Sequence, residues 1–558
     1  MRPARLLVTA VVAASIVGAV ACGELDVTNP NNPSRVTVVS SSQDALALIS
    51  NGLLQWFNRA GSTSPSVALS VMADEFSTGF ADFGGQDLSK EPREGINIQN
   101  PTNGPPHHAT FPDYYGNIAA LNTALQAIDK FDLVLRNSAG QDVTTEANAF
   151  AKFLQGLNHG YAAMMFDKSY VYSESVDTDT LRFTGGNTGV QDLIRPYDEV
   201  MDTALVELGA ALQLATSKTF TYPTTSANVW FLGVPRTNTD LAKIVHTYMA
   251  RFMVYVARNP AERQAVDWNA VIAHIDQGIT ADFYVTGVVG VVESSYKNRV
   301  ARLRTTIPGD FMRVDYRMIG PADVTESFRS WYALPWATRN PYRMVGTPDR
   351  RIQGATTRPA SCLPASVPLA DCGLYMGYHN STLFNVDRGL GQRSFYFFHR
   401  YGAGTSWQSG PIYLVNVAEM DLLKAEGLIR LNRPDEAIPL INKYRVANGG
   451  LPAVDINGAP GTAPNCVPRK LNGDCGSLWD ALRYEKRIET MGLEGGPAFY
   501  DARAWGFLEA GTAVHFPMPL RDLQLLRIEP YTFGGVAGVD AAPAPNPERC
   551  PVVLPRCP

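Results

Sequence analysis

The chain has 558 residues, 45% of them apolar and 18% charged, with 48 Lys and Arg against 53 Asp and Glu for a net charge of −5. That length allows a large core or two ordinary domains, and the mildly acidic balance argues against nucleic acid as a partner and against binding anionic lipid by charge. After the first 21 residues no run approaches the roughly 18 consecutive apolar residues of a membrane span.

Arg2 and Arg5 precede an unbroken apolar and small-residue stretch from Leu6 to Ala21, and Cys22 comes directly after it. A basic start, a short apolar core and a small-residue cleavage site mark an export signal. Ala19-Val20-Ala21-Cys22 resembles a bacterial lipobox, with Ala where Leu is usual. It implies cleavage before Cys22, acylation of that cysteine and permanent attachment to the membrane. A soluble secretory signal cut near Ala21 is the alternative, and would leave Cys22 as a spare thiol. Gly23 after the cysteine, rather than Asp, fits outer-membrane sorting. The expectation is a signal peptide over 1–21, a polar tether over 22–41, and a mature chain with 46 basic and 53 acidic residues.

Helical periodicity dominates the remainder of the chain. Ala45, Leu48, Ile49, Leu53, Trp56 and Phe57 form one stripe, behind serines 40–42 that can cap a helix. Later stripes run Tyr115–Ile128, Phe150–Met165 and Tyr197–Leu208. Leu241–Val256 reads as a helix buried on most sides, and Trp268–Ile279 as a shorter amphipathic one. Val415–Ile429 gives a further stripe. A turn at Asn432-Arg433-Pro434 leads to a helix through Ile441 and Tyr444 that Pro439 should kink. Short turns between helices suggest a helical-repeat scaffold, although no strict 34-residue repeat is legible. Long stretches rich in Gly, Pro, Asn and aromatics separate the helices, mainly 74–113, 282–411, 452–477 and 530–558. Loops of this length are functional or disordered, and their aromatic content argues against disorder.

Six cysteines remain besides Cys22, in three close pairs: Cys362 with Cys372, Cys466 with Cys475, and Cys550 with Cys557. Six allow 15 connectivities, but short loops cost least to close, so three local disulfides in an oxidising compartment are the simplest reading. Zinc is disfavoured because no pair has zinc-knuckle spacing.

Chemistry-bearing patterns are sparse. Glu419, Glu426, Glu485, Glu489 and Glu494 stand at helical spacing near Arg483, Arg487 and Arg503, which favours structural ion pairs over acid–base work. His107-His108 lacks the His-Glu-x-x-His pattern, and no Gly-x-Ser-x-Gly elbow or phosphate-binding glycine loop occurs. Asp455-Ile456-Asn457-Gly458 is a fragment of a calcium loop and more often a turn. No catalytic residue, cofactor or metal is expected. Binding has better support. Arg329, Trp331, Tyr332, Trp336, Arg339, Tyr342 and Arg343 crowd one proline-containing region, where aromatic faces and Arg donors suit sugars or peptides. The competing reading is that Trp331 and Trp336 fasten the loop to the helices. A second candidate group is Asp74, Glu75, Phe80, Asp82 and Phe83.

Four stretches together resemble the SusD/RagB family of outer-membrane nutrient-binding lipoproteins. They are Cys22 with Leu25-Asp26-Val27-Thr28-Asn29-Pro30; Tyr115-Gly116-Asn117-Ile118-Ala119-Ala120-Leu121-Asn122; the helix from Pro411-Ile412-Tyr413 through Ala418-Glu419 to Ala425-Glu426, continuing to Tyr444-Arg445; and Leu482-Arg483-Tyr484-Glu485-Lys486-Arg487-Ile488-Glu489 with Gly492-Leu493-Glu494-Gly495 and Asp501-Ala502-Arg503-Ala504-Trp505-Gly506. Phe516-Pro517-Met518-Pro519 resembles the family's near-terminal Pro-Ile-Pro. Gly496-Pro497-Ala498-Phe499 stands where members usually carry Arg-Trp, marking a divergent branch and leaving ligand identity open.

The resemblance implies a mostly α, tetratricopeptide-like scaffold of helical pairs with long loops and little β. Its parts would be an N-terminal helical part over about 42–280, a loop-rich ligand-binding part over 282–411, a C-terminal helical part over 412–530 and a disulfide-pinned tail over 531–558. It also implies a non-enzymatic receptor on the cell exterior that passes oligosaccharide or peptide to a TonB-dependent, SusC-like transporter. Trp331, Tyr332, Trp336, Tyr342, Arg343, Asp82 and Phe83 are the expected ligand contacts. A surface-anchored glycan hydrolase and a periplasmic protein-binding adaptor are the alternatives.

Overall fold

The computed structural model describes residue 39 and, from 41 to 535, the chain outside 58–64, 80–84, 91–92, 94, 97–106, 177–187, 224–228, 289–291, 293–311, 336–337, 340–345, 363–366, 380–393 and 402–409. The first apolar stripe forms two helices rather than one. α1 (Ser42–Ser50) ends at Asn51, whose Nδ2 donates to the Ala47 carbonyl at 2.8 Å, and a short helix over Gly52–Trp56 comes next. Then come α2 (Pro65–Met72), α3 (His107–Lys130), α4 (Thr144–Met165), α5 (Tyr197–Ser217), α6 (Asn238–Tyr255) and α7 (Trp268–Asp276). α1 packs on α3, and from α3 to α7 each helix packs on the one before it.

α4 is buried nearly all round, as expected of a helix at the centre of a stack. Close approach is possible because Gly156 and Gly160, one turn apart, face α5 and α6. A Cβ on Gly160 would lie 2.0 Å from the Phe252 ring, and one on Gly156 would lie 2.7 Å from Leu208. Asn117, in the second motif stretch, holds the Gly52 carbonyl at 3.1 Å, and Asn122 accepts from Gln155 at 2.6 Å. Both motif asparagines are therefore structural.

After α7 the chain leaves the stack. The insertion contains α8 (Ser327–Tyr332), and the stack resumes with α9 (Val417–Arg430), which packs directly on α7. The departing strand Phe283–Gly287 and the returning strand Gly410–Val415 pair antiparallel, Gly287 opposite Gly410 and Phe283 opposite Val415. The insertion thus begins and ends at one clasp. α10 (Pro434–Ala447) runs on through Pro439, and α11 (Leu478–Thr490) and α12 (Pro497–Ala504) complete the stack. Among the described residues the strands pair only in two-stranded ladders, with a few isolated bridges besides, so the expected mostly helical class with little β holds. Among the described residues no helix is long and apolar enough to cross a membrane.

Two large cores result. One fills the helical stack around Phe150, Leu157, Tyr161 and Phe252. The other joins α2, the insertion and α11 through Val67, Val314, Trp331, Met376, Tyr484 and Ile488. Buried ion pairs lace the stack, with Arg251 on Glu419 at 2.9 Å, Arg263 on Glu426 at 2.7 Å, and Arg351 on Glu489 at 3.0 Å. Burial opposes ionisation of Glu426, but the charge and hydrogen bonds of Arg263 prevail and hold its carboxyl well below the usual range. The disulfides Cys362–Cys372 and Cys466–Cys475 form as the spacing predicts. Cys22, Cys550 and Cys557 lie outside the described residues.

Candidate functional site

A cavity of about 100 Å³ lies where the insertion meets α11. Local sequence explains each wall. Ser477 and Asp480 form a capping box that fixes the start of α11. From there Arg483, Tyr484 and Arg487 face the cavity, while Glu485 and Glu489 point to the ion pairs beneath, because residues two apart on a helix are about 200° apart around its axis. α8 supplies Phe328 and Tyr332, and the turn before it supplies Arg317 and Pro321. The third wall is the loop closed by Cys466–Cys475, contributing Arg469, Lys470 and Leu471. Arg329 clamps this loop, donating from Nε to the Leu471 carbonyl at 2.9 Å and from Nη2 to the Asn472 carbonyl at 3.2 Å. The Arg469 backbone N–H donates to the Pro321 carbonyl at 2.7 Å.

The cavity is cationic and aromatic. Arg317 meets Asp74 at 2.9 Å, Asp315 at 3.0 Å and Glu509 at 3.0 Å. Arg483 pairs with Asp480 and lies 4.3 Å over the Phe507 ring. Arg487 donates to the carbonyls of Ala73 and Asp74 at 3.0 and 3.3 Å. The Tyr484 hydroxyl donates to Asp349 at 2.5 Å, and burial raises its pKa well above the ordinary tyrosine value, so it stays a neutral donor. Arg469 meets Glu326 at 2.6 Å through Nη2, while its Nε and Nη1 are buried without a hydrogen-bond acceptor among the described residues. Leaving such donors unmade costs about 1–3 kcal/mol each. Asp74 and Glu326, the carboxylates that hold Arg317 and Arg469, both have left-handed backbones, with φ of 58° and 68°. Non-glycine residues in that region are strained, a condition that clusters at functional sites.

The expected ligand contacts separate here. Tyr332 lines the cavity. Trp331 does not: it is 1% exposed, packs on Tyr316 at 4.7 Å, and is covered by the Arg339 guanidinium at 5.0 Å from its ring centre. That is the loop-fastening role. Adjacent positions on α8 point about 100° apart, so one aromatic enters the core while its neighbour faces the cavity. Trp336, Tyr342, Arg343, Phe80, Asp82 and Phe83 lie outside the described residues. Asp74 and Glu75 are buried behind the cavity, and Asp74 holds Arg317. Of the second candidate group, Asp74 therefore stands behind the arginine that Tyr332 faces across the cavity.

Four of the glutamates form structural ion pairs, with arginines from elsewhere in the chain. Arg251, Arg263, Arg351, Arg445 and Arg400 serve Glu419, Glu426, Glu485 and Glu489, and Glu494 accepts from Ser66 at 2.9 Å. Arg503 instead donates to the backbone carbonyls of Met164, Val514 and Tyr255. Asp455–Gly458 is a turn, Asn457 N–H donating to the Asp455 side chain at 2.7 Å. The residues that sequence reasoning missed are Arg317, Phe328, Arg469, Lys470 and Phe507. Arg483 and Arg487 carried a legible signal, two arginines one turn apart on the side of α11 opposite its glutamates.

No protein-family model matches the chain. A SusD superfamily protein from Bacteroides fragilis superposes with a TM-score of 0.51 at 14% identity, covering 88% of this chain and 100% of that one. The fold is SusD-like. A SusD homolog from Bacteroides thetaiotaomicron gives the same TM-score at 13% identity, covering 87% of this chain and 96% of that one. In sequence, 131 residues, or 24% of this chain, are 34% identical to a SusD-like protein of Formosa agariphila, and the match spans 23% of that relative's length. The SusD/RagB resemblance read from the motifs is thereby borne out. The cavity lies at the junction between the helical scaffold and its insertion.

Proposed function

We propose that this protein is a non-enzymatic nutrient receptor, anchored at the outer membrane through Cys22 and facing the cell exterior. It captures oligosaccharide, or peptide, and delivers it to a TonB-dependent, SusC-like transporter. The observation that carries the reading is the cavity between α8, α11 and the disulfide-closed loop. Phe328, Tyr332 and Phe507 line it together with arginines, the apolar surface with a few directed polar groups that small-ligand sites present. The buried glutamates of the conspicuous motifs are engaged in ion pairs of the scaffold, which supports binding over turnover.

Such a receptor raises ligand concentration at the transporter's mouth, so moderate affinity suffices. The purified mature chain is tested by calorimetry against a panel of oligosaccharides and peptides, with product analysis of the same mixtures. Saturable binding with no product is expected, and Tyr332→Ala weakens it. Turnover of any panel member overturns the non-enzymatic reading. Gentle detergent extraction is expected to recover an outer-membrane transporter, and mass spectrometry of the membrane fraction an acylated Cys22. An unmodified Cys22 removes the anchor.

A further inference from the structure

We propose that the cavity is a subsite for a carboxylate carried on a sugar ring, so that the preferred ligand is a glycan containing hexuronate. This rests on the nutrient-binding reading above. Glu326 is shared by Arg329 and Arg469, so that trio carries one positive charge in excess. Lys470 adds a second cation on the same loop, 3.5 Å from Asp480, a carboxylate that Arg483 also pairs.

Arg469 gives the excess charge a direction. Its side chain is only 4% exposed, it lines the cavity, and Nε and Nη1 have no acceptor among the described residues. A buried guanidinium with spare donors favours a planar oxyanion over a neutral hydroxyl, because charge-assisted hydrogen bonds are about twice as strong as neutral ones. The aromatic wall decides between oxyanions. Tyr332 and Phe328 line the cavity together with the arginine, an apolar wall that suits the C–H surface of a pyranose and gives a free inorganic anion nothing to contact. About 100 Å³ is several times the 10–15 Å³ that a single water-sized probe occupies. The carboxyl end of a ring fits there, with the rest of the chain running out over Lys470, whose side chain is 34% exposed.

The test uses the full mature chain and two probes, an oligohexuronate and the same oligosaccharide after reduction of its carboxyls to neutral alcohols. The oligohexuronate is expected to bind roughly tenfold or more tightly than its reduced form, with affinity falling as salt rises. Arg469→Gln is expected to abolish that preference, bringing the two probes to similar affinity. Lys470→Gln, at a partly exposed position, is expected to lower the preference about threefold and serves if Arg469→Gln fails to fold. Equal affinity for the two probes overturns the carboxylate subsite and leaves the receptor reading standing. Binding of neither probe, with no other oligosaccharide bound, overturns both. A sulfated neutral glycan that binds more tightly than the oligohexuronate also overturns the assignment.

Discussion

In the helical stack and at its junction with the insertion, Arg251, Arg263, Arg351 and Arg445 each donate from Nε, Nη1 and Nη2 to carboxylates, hydroxyls or carbonyls. At the cavity, a few residues away in the same core region, Arg469 is as deeply buried but uses Nη2 alone. Desolvation is common to both settings, and the difference is whether the protein itself supplies every acceptor. A guanidinium with every nitrogen engaged serves the fold. One with donors left over keeps binding capacity in reserve, at a cost to stability.

That contrast breaks first at Arg351. Arg351→Gln takes the ion-pair partner from buried Asp349 and one of two from each of Glu485 and Glu489, and about 3–5 kcal/mol of stability should be lost in urea denaturation. The same exchange at Arg469 should cost under about 1 kcal/mol, because two unmet donors leave with it and Glu326 is 44% exposed. Comparable losses at the two positions would erase the distinction. Trp331→Ala should also cost about 3–5 kcal/mol, whereas Tyr332→Ala should act mainly on ligand affinity, separating core from wall within one helix.

Glu75 sharpens the comparison by pH. Burial pushes its carboxyl up to about 7, against the lowering effects of the Ser70 hydrogen bond and the Arg487 charge. Folded Glu75 then holds its proton where the unfolded chain, with a pKa near 4.5, has released it. Its contribution is fully favourable below about pH 4.5 and is lost as pH rises to about 7, by up to roughly 3 kcal/mol. Glu75→Gln should remove that slope from urea midpoints measured across the window. A further test belongs to the loop. Cys466→Ser with Cys475→Ser should cost about 2–3 kcal/mol by release of a short closed loop, and should weaken ligand binding more than loss of the distant Cys362–Cys372 pair.

Much of the scaffold was legible because its signals are local. Apolar residues three and four apart make α3 to α7 wherever they fold, since burying that stripe is the only way to satisfy it. The break at Asn51 was not legible, because it depends on the close approach of Gly52 to Leu154 from α4. Cysteines 9 and 10 residues apart could be paired from spacing alone. The candidate site was half legible: Tyr332, Asp74 and the Arg483–Arg487 stripe stood in the groups read from sequence, while Arg317, Phe328, Arg469, Lys470 and Phe507 gave no sign.

By itself, then, the sequence determined the helical class and the family likeness and made local disulfides the simplest pairing, all properties of neighbours along the chain. Only the tertiary structure decided that Trp331 is core and Tyr332 is wall. It alone paired Arg351 with Glu489 across 138 residues and left Arg469 with donors to spare. Periodicity reports which face of an element must be covered, but not by what. The partner of a buried charge comes from a distant segment, and its identity exists only once the chain has closed around it.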